Sequence, residues 1–283
     1  MAVLTPSGTT GWNPEVWEKA KFESATYQRM KFIRTIDEGD RPYNLLHIRK
    51  HARGTGTTLG QSTAGGAADL TFLTIIGTPI TVTPVHSVVP VAYGPHMEAQ
   101  TDGNIDQESA GNIEQALAEL TETTAAANIA TLSTPISATD VDGPLLRRAY
   151  GQLMGNTNGM AEPGGDTQVY GLFSHTQFPN LGNIPEFNQA DIRGDSENPY
   201  VKGIWTKGGG IMLLMSTIIT QDANGWHNGL YIPSAFVIAW NLRSQIVRDR
   251  DALRQFVIAQ NNVGSAVKHD LRAIDIRTTA NPL

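Results

Sequence analysis

The chain has 283 residues, of which 40% are hydrophobic and 17% charged, which is enough apolar material for one large domain or two small ones. The net charge of −6 at pH 7 argues against a general nucleic-acid-binding protein. The absence of cysteine excludes disulfides and thiolate metal sites, and no apolar run is long enough to predict a membrane span.

Charge is distributed unevenly along the sequence. Basic residues are frequent from Met1 to Arg53, and the next one is Arg147. The interval between them contains several acidic residues, among them Glu114, Glu119 and Glu122. This pattern predicts that a basic N-terminal segment pairs with an acidic body, either within one chain or between copies. The alternative is that both segments are solvated surfaces, where an exposed ion pair contributes only about 0–1 kcal/mol.

The N-terminal part of the sequence predicts a helix and a long hairpin. Pro14 fits the first turn of a helix over residues 14–32, and NLLHIRKH (44–51) is typical of a short strand. ARGTGTTLGQSTAGGAA (52–68) has no hydrophobic pattern, and LTFLTII (70–76) predicts a returning strand. Because so long a structureless loop is unusual inside a compact domain, we interpret it as the tip of an extended hairpin that packs on another molecule. A further strand is predicted over 80–93, at an edge or kinked by its prolines.

The stretch from Gly111 to Ser133 predicts one long helix, which Pro135 follows. The predicted apolar stripe consists of Ile113, Leu117, Leu120, Thr124 and Ala127, with a second stripe formed by Ala125, Ile129 and Leu132. The three glutamates of this stretch lie off the first stripe. An ordinary core helix would have the same pattern.

The second half of the sequence predicts mixed structure, so the expected fold class is α+β. A helix is predicted over 144–154, capped by Asp142 or Gly143. Strands are predicted over 167–173 and 210–220, a turn over 222–229, and a short strand or helix over 230–240. The chain after Asn241 reads as strands, in the last of which two isoleucines alternate with Asp275.

Patterns that would indicate catalysis or ligand binding are incomplete. Gly54, Gly56 and Gly60 miss the dinucleotide-binding spacing by one residue, and no lysine follows them as a phosphate-binding loop requires. The acidic run from Asp102 lacks the glycine and glutamate of a calcium loop. His47 and His51 share a face with basic neighbours that would repel a cation. The sequence therefore does not predict an enzyme, a cofactor or a metal site.

The order of elements resembles the tailed-bacteriophage major capsid protein family, which has the Hong Kong 97-like fold. The resemblance covers nearly the whole chain, and its local phrases are NIPEFNQADIRGDSENPYVKGIWTKGGGIMLLMSTIIT and NGLYIPSAFVIAW. It implies an N-terminal arm at 1–43, an extended loop at 44–82 and a peripheral domain at 83–143 that contains the long helix as its spine. It further implies an axial domain at 144–229 and the rest of the peripheral domain at 230–283.

The resemblance implies a major capsid protein that self-assembles, as hexamers and pentamers, into an icosahedral shell enclosing double-stranded DNA, without sequence-specific binding. A separate scaffolding protein, a portal and possible decoration proteins are the other partners it implies, with assembly in the host cytoplasm and no membrane. Members that cross-link covalently carry a reactive lysine in the extended loop, and this sequence has no lysine between Arg53 and Val82. Two alternatives are a cellular nanocompartment (encapsulin-like) shell protein and, with less support, a glycine-rich-loop enzyme.

Charge and resemblance together predict candidate contacts between subunits. The basic candidates at the base of the hairpin are Arg49, Lys50 and Arg53, and the acidic candidates on the long helix are Glu114, Glu119 and Glu122. We expect the two sets to pair between copies, because the hairpin extends away from its own helix.

Overall fold

A computed structural model describes residues 14–38, 46–50, 78–93, 105–156, 168–184, 204–208, 211–250 and 255–279. The α-helices are α1 (Pro14–Arg29), α2 (Ile105–Ala126), α3 (Gly143–Asn156) and α4 (Phe178–Gly182). The strands are β1 (Asp37–Glu38), β2 (Leu46–Lys50), β3 (Thr78–Val82), β4 (Val85–Tyr93), β5 (Pro135–Ala138), β6 (Val169–Ser174), β7 (Ile204–Gly208), β8 (Ile211–Ser216), β9 (Gln221–Asp222), β10 (Gly225–Tyr231), β11 (Phe236–Arg250), β12 (Gln255–Val267) and β13 (Ala273–Thr278).

The strands form two main sheets and one hairpin. The four-stranded sheet has the order β1-β11-β12-β4, and the seven-stranded sheet has the order β5-β13-β10-β6-β8-β7 with β9 paired to β10. The hairpin joins β2 to β3 in antiparallel register, with Leu46 opposite Val82 and Lys50 opposite Thr78. The fold is therefore α+β, as the sequence predicts.

The long helix α2 connects the two sheets. Ile113 and Leu117 in its first half pack against the four-stranded sheet, together with Phe22 of α1. Its second half, with Ala125 and the following 3-10 turn Ala127–Thr131, packs against the seven-stranded sheet. One helix thus supplies side chains to two hydrophobic cores, which explains its central position.

The seven-stranded sheet is covered on both faces. Helix α3 packs on one face, where Leu146, Ala149 and Leu153 share a core with Val169 and Phe173 of β6. The 3-10 turn after α2, together with residues 30–36, covers the other face. Strands buried on both faces need apolar residues at every position, which explains the continuous runs VYGLFS and IMLLMS. The cap predicted for α3 is confirmed at Asp142, since the Leu145 N–H donates to Asp142 Oδ1 at 2.8 Å.

The predicted long helix exists, but its bounds and its buried stripe differ from the prediction. The α-helix begins earlier, at Ile105, and ends at Ala126, after which the chain continues as a 3-10 turn. Leu120 is 42% exposed and Thr124 is also exposed, whereas Thr121 and Glu122 are buried. The buried face turns gradually around the helix because the helix packs on two sheets in succession.

One turn prediction is wrong. The residues predicted to turn over 222–229 instead enter β10 at Gly225, after the short strand β9. The last predicted strand is confirmed as β13, which pairs with β10 and β5 in the seven-stranded sheet. The returning strand predicted at 70–76 lies outside the described residues. The five domain boundaries taken from the resemblance stay predictions.

Candidate assembly interface

The described hairpin strands contain two of the predicted basic contacts. Arg49 and Lys50 end β2, where they stand opposite Pro79 and Thr78 of β3. Arg53 lies outside the described residues. The two described basic residues thus lie on one strand, at the end away from Leu46 and Val82, where β3 leads into β4 and the body.

Glu114 is occupied within its own chain. Its Oε2 lies 3.5 Å from Arg29 Nη2, so the pair links α2 to the end of α1. Burial raises the pKa of Glu114, and the charges of Arg29 and Lys21 act in the opposite direction. The basic N-terminal segment and the acidic helix therefore do meet, but at this residue they meet within one subunit.

Glu119 is the exposed member of the acidic set. Its side chain accepts a hydrogen bond from Gln115 Nε2 at 2.8 Å, one helical turn earlier, and it has no ion-pair partner among the described residues. Leu120, which is 42% exposed, lies next to it. This part of α2 therefore combines a free carboxylate with an exposed apolar side chain, as an interface requires.

Glu122, the third acidic candidate, lies in the protein interior and not at the surface. Its side chain is 5% exposed, and its Oε1 accepts the backbone N–H of Ile33 at 3.1 Å. Burial raises the pKa of Glu122 from 4.5 to about 7, although backbone N–H groups and Lys31 favour the ionised form. Glu122 cannot reach a neighbouring subunit while it is buried in this way. The steps from Ala118 to Glu122 and on to Ala125 are those of a buried face, so helical spacing contained a signal for this position.

A second buried ionic group lies in the seven-stranded sheet and has no counterpart in the sequence predictions. Asp275 is fully buried, and its Oδ2 accepts from Arg277 Nε at 2.7 Å and lies 3.0 Å from His227 Nδ1. His227 Nε2 lies 3.1 Å from Asp222 Oδ2 on the neighbouring short strand. These contacts link the first residues of β10 to β13 and β9. Each of these side chains therefore already has a partner within the fold.

The described residues also contain a groove of about 510 Å³ between the end of β5 and the start of α3. Its carboxylates are engaged structurally: Asp142 caps α3, and Asp140 accepts from Asn180 Nδ2 at 2.9 Å. In the part of the chain that the structure describes, no group of three or more histidine, aspartate or glutamate side chains could hold a metal ion. None of the described helices is long and apolar enough to cross a membrane. The glycine-rich residues 54–60 lie outside the described ranges.

This chain resembles known proteins in its fold but not in its sequence. No protein-family model and no curated protein matches this sequence. Solved structures do match: the capsid of Ralstonia phage GP4 gives a TM-score of 0.66 at 13% identity, covering 100% of this chain and 99% of that one. The capsid of cyanophage P-SCSP1u gives 0.65 at 15% identity, covering 87% of each chain. The virus-like particle from Pyrococcus furiosus gives 0.62 at 9% identity, covering 94% of this chain and 100% of that one.

The architecture is therefore that of shell-forming proteins, matched along almost the full length of both chains. More particularly, the chain has the Hong Kong 97-like fold of tailed-phage capsid proteins, and the fold predicted from the order of elements is confirmed.

Proposed function

We propose that this chain is a tailed-phage major capsid protein, many copies of which form an icosahedral shell around a double-stranded DNA genome. The observation that carries the proposal is the length of the match, because a capsid chain from Ralstonia phage GP4 covers 100% of this chain. A shared fold alone does not define a function. Here, however, the match extends over the whole chain, including the described helices and both sheets.

The hairpin supports this role. Hairpin strands β2 and β3 are connected by residues 51–77 and leave the body next to the four-stranded sheet. Extended elements of this kind let one subunit contact its neighbours, and large interfaces hold shells together. The role is structural and non-enzymatic, and the further partners are a scaffolding protein, a portal and possible decoration proteins. The shell assembles in the host cytoplasm and becomes part of the virion.

A cellular nanocompartment shell is the second candidate. It is supported by the match to the virus-like particle from Pyrococcus furiosus, which covers 100% of that chain. The two candidates differ in what the shell encloses. A phage shell contains nuclease-protected DNA, whereas a nanocompartment contains protein.

Electron microscopy of the purified chain tests the proposal directly. We expect closed shells, or rings of five and six subunits, in fractions that sediment far ahead of a 30.6 kDa monomer. Particles isolated from the natural source should contain DNA that resists added nuclease. Particles that contain protein and no DNA would favour the nanocompartment. A chain that stays monomeric at high concentration, with and without its scaffolding protein, would contradict both.

A further inference from the structure

Residues 30–36 connect α1 to β1, and we call them the N-terminal link. They fill the space between α2 and the seven-stranded sheet. Phe32 and Ile33 are 0% and 1% exposed. Phe32 meets Tyr231 of β10 edge to face, with ring centroids 5.2 Å apart, and Thr35 Oγ1 lies 2.6 Å from the Tyr231 hydroxyl. The link is therefore packed as core, although it lies next to the N-terminal segment of the chain.

One ionisable side chain of the body holds this link. Glu122 of α2 accepts the Ile33 N–H at 3.1 Å from a position that is 5% exposed. The nearest cation is Lys31 of the link, but its Nζ donates to the Met215 carbonyl of β8 at 3.0 Å. The Glu122 carboxylate therefore lies among apolar side chains and the backbone N–H groups of Lys31, Phe32 and Ile33, and it is not in an ion pair among the described residues.

The pH response at this site depends on Glu122 and on the groups that face it. The link contributes Lys31 and β10 contributes Tyr231, whose pKa burial raises above its ordinary value. Tyr231 therefore stays neutral between about pH 5 and 8. Burial raises the pKa of Glu122 from 4.5 to about 7, so this carboxyl group does change its charge in that range.

We propose that Glu122 is a proton-controlled latch for the N-terminal link. The protonated side chain keeps the link docked between α2 and the seven-stranded sheet. The ionised carboxylate is better solvated by water, so its ionisation favours release of the link and of α1, which precedes it. The latch belongs to the single subunit and does not depend on assembly into a shell.

The direction of the effect follows from proton linkage. The docked state binds the proton more tightly than the released state, so rising pH favours release between the two pKa values, 4.5 and about 7. With these values the opening equilibrium should increase about twentyfold between pH 5.5 and 7.5. Below the lower value, both states are protonated and the effect disappears.

Hydrogen exchange of the full-length chain measures this opening. Exchange of the amides in the link, after division by the intrinsic rate at each pH, should accelerate about twentyfold from pH 5.5 to 7.5. Glu122→Gln keeps an oxygen that accepts the Ile33 N–H but has no titrating proton, so exchange in this variant should be independent of pH after the same correction. Glu119→Gln, on the exposed side of the same helix, is the matched control and should behave as the wild type.

The controls distinguish the latch from general instability. Amides of β12, inside the four-stranded sheet, exchange through larger openings and should therefore exchange more slowly than the link amides at each pH. Three results would overturn the proposal: a corrected rate in the wild-type link that does not change with pH, an equal change in Glu122→Gln, or link amides that exchange no faster than those of β12. Because the measurement is made on unassembled subunits, it is independent of the capsid proposal.

Discussion

Asp275 shows how much one buried charge can contribute. It is 0% exposed, its Oδ2 contacts both Arg277 and His227, and its Oδ1 has no hydrogen-bond partner among the described residues. Removing one member of a buried ionic group leaves the others uncompensated, which is more costly than the net value of the pair.

We therefore expect Asp275→Ala to lower the free energy of unfolding by about 3–5 kcal/mol, measured by urea denaturation of the unassembled chain. Asp222→Ala is the matched control, because Asp222 contacts the same His227 from the exposed side of the sheet. It should cause a much smaller change. Equal losses in the two variants would show that burial does not determine the contribution of Asp275.

Single buried charges were the least predictable feature of the sequence. Asp275 alternates with two isoleucines, a pattern that places a charged side chain outside by default, and Glu122 lies between threonines. Both are buried because their elements are covered from a second direction: α2 by the N-terminal link, and β13 by packing on both faces of its sheet. The spacing from Ala118 to Glu122 and Ala125 indicates a buried face of α2, but the residues that cover it are distant in sequence, so local periodicity could not identify them.

At the scale of elements, the lysine-free part of the hairpin between Arg53 and Val82 leads to a prediction about chemistry. An isopeptide bond between subunits needs a lysine amine, and no lysine lies between Arg53 and Val82. Because the chain also has no cysteine, hot detergent should separate assembled particles completely into monomer-sized bands on a denaturing gel. A ladder of covalent oligomers would contradict this expectation, and mass spectrometry of its bands would identify the residues involved.

Element type was predicted better than element partners. Helices α1, α2 and α3 and strands β2, β6 and β8 lie where periodicity and cap residues indicated, within a few residues at their ends. The sequence predicted no sheet partners: β13 lies in the seven-stranded sheet, whereas β11 and β12 lie in the four-stranded sheet. The sequence of a strand indicates that the strand will be buried, but it does not indicate which strands will pair with it. The partners of β13 depend on how the preceding 3-10 turn, Asp270–Arg272, directs the chain.

At the scale of the whole molecule, the order of elements predicted the fold, although no family model and no curated protein matches the sequence. The chain shares only 13% identity with the GP4 capsid chain that it matches over its full length. Many sequences satisfy the same arrangement of apolar faces and turns. Contacts between subunits depend on exposed residues, which core packing does not constrain, so the fold alone does not predict them.

The charge pattern gives the proposal about contacts a specific test. Glu114 and Glu122 are engaged within the chain, so Glu119 is the acidic candidate that remains available to a neighbour's Arg53. One exposed pair contributes only about 0–1 kcal/mol, but a shell repeats the pair at every subunit. Arg53→Glu should therefore impair assembly without unfolding the subunit, and adding Glu119→Lys to that chain should restore part of it. Adding Glu114→Lys instead should restore nothing.

Assembly of the wild type, followed by light scattering, should weaken as salt rises, because exposed charges are screened over about 8 Å at physiological ionic strength. If the Arg53→Glu chain assembles normally at every salt concentration, the basic segment is a solvated surface and the contact lies elsewhere.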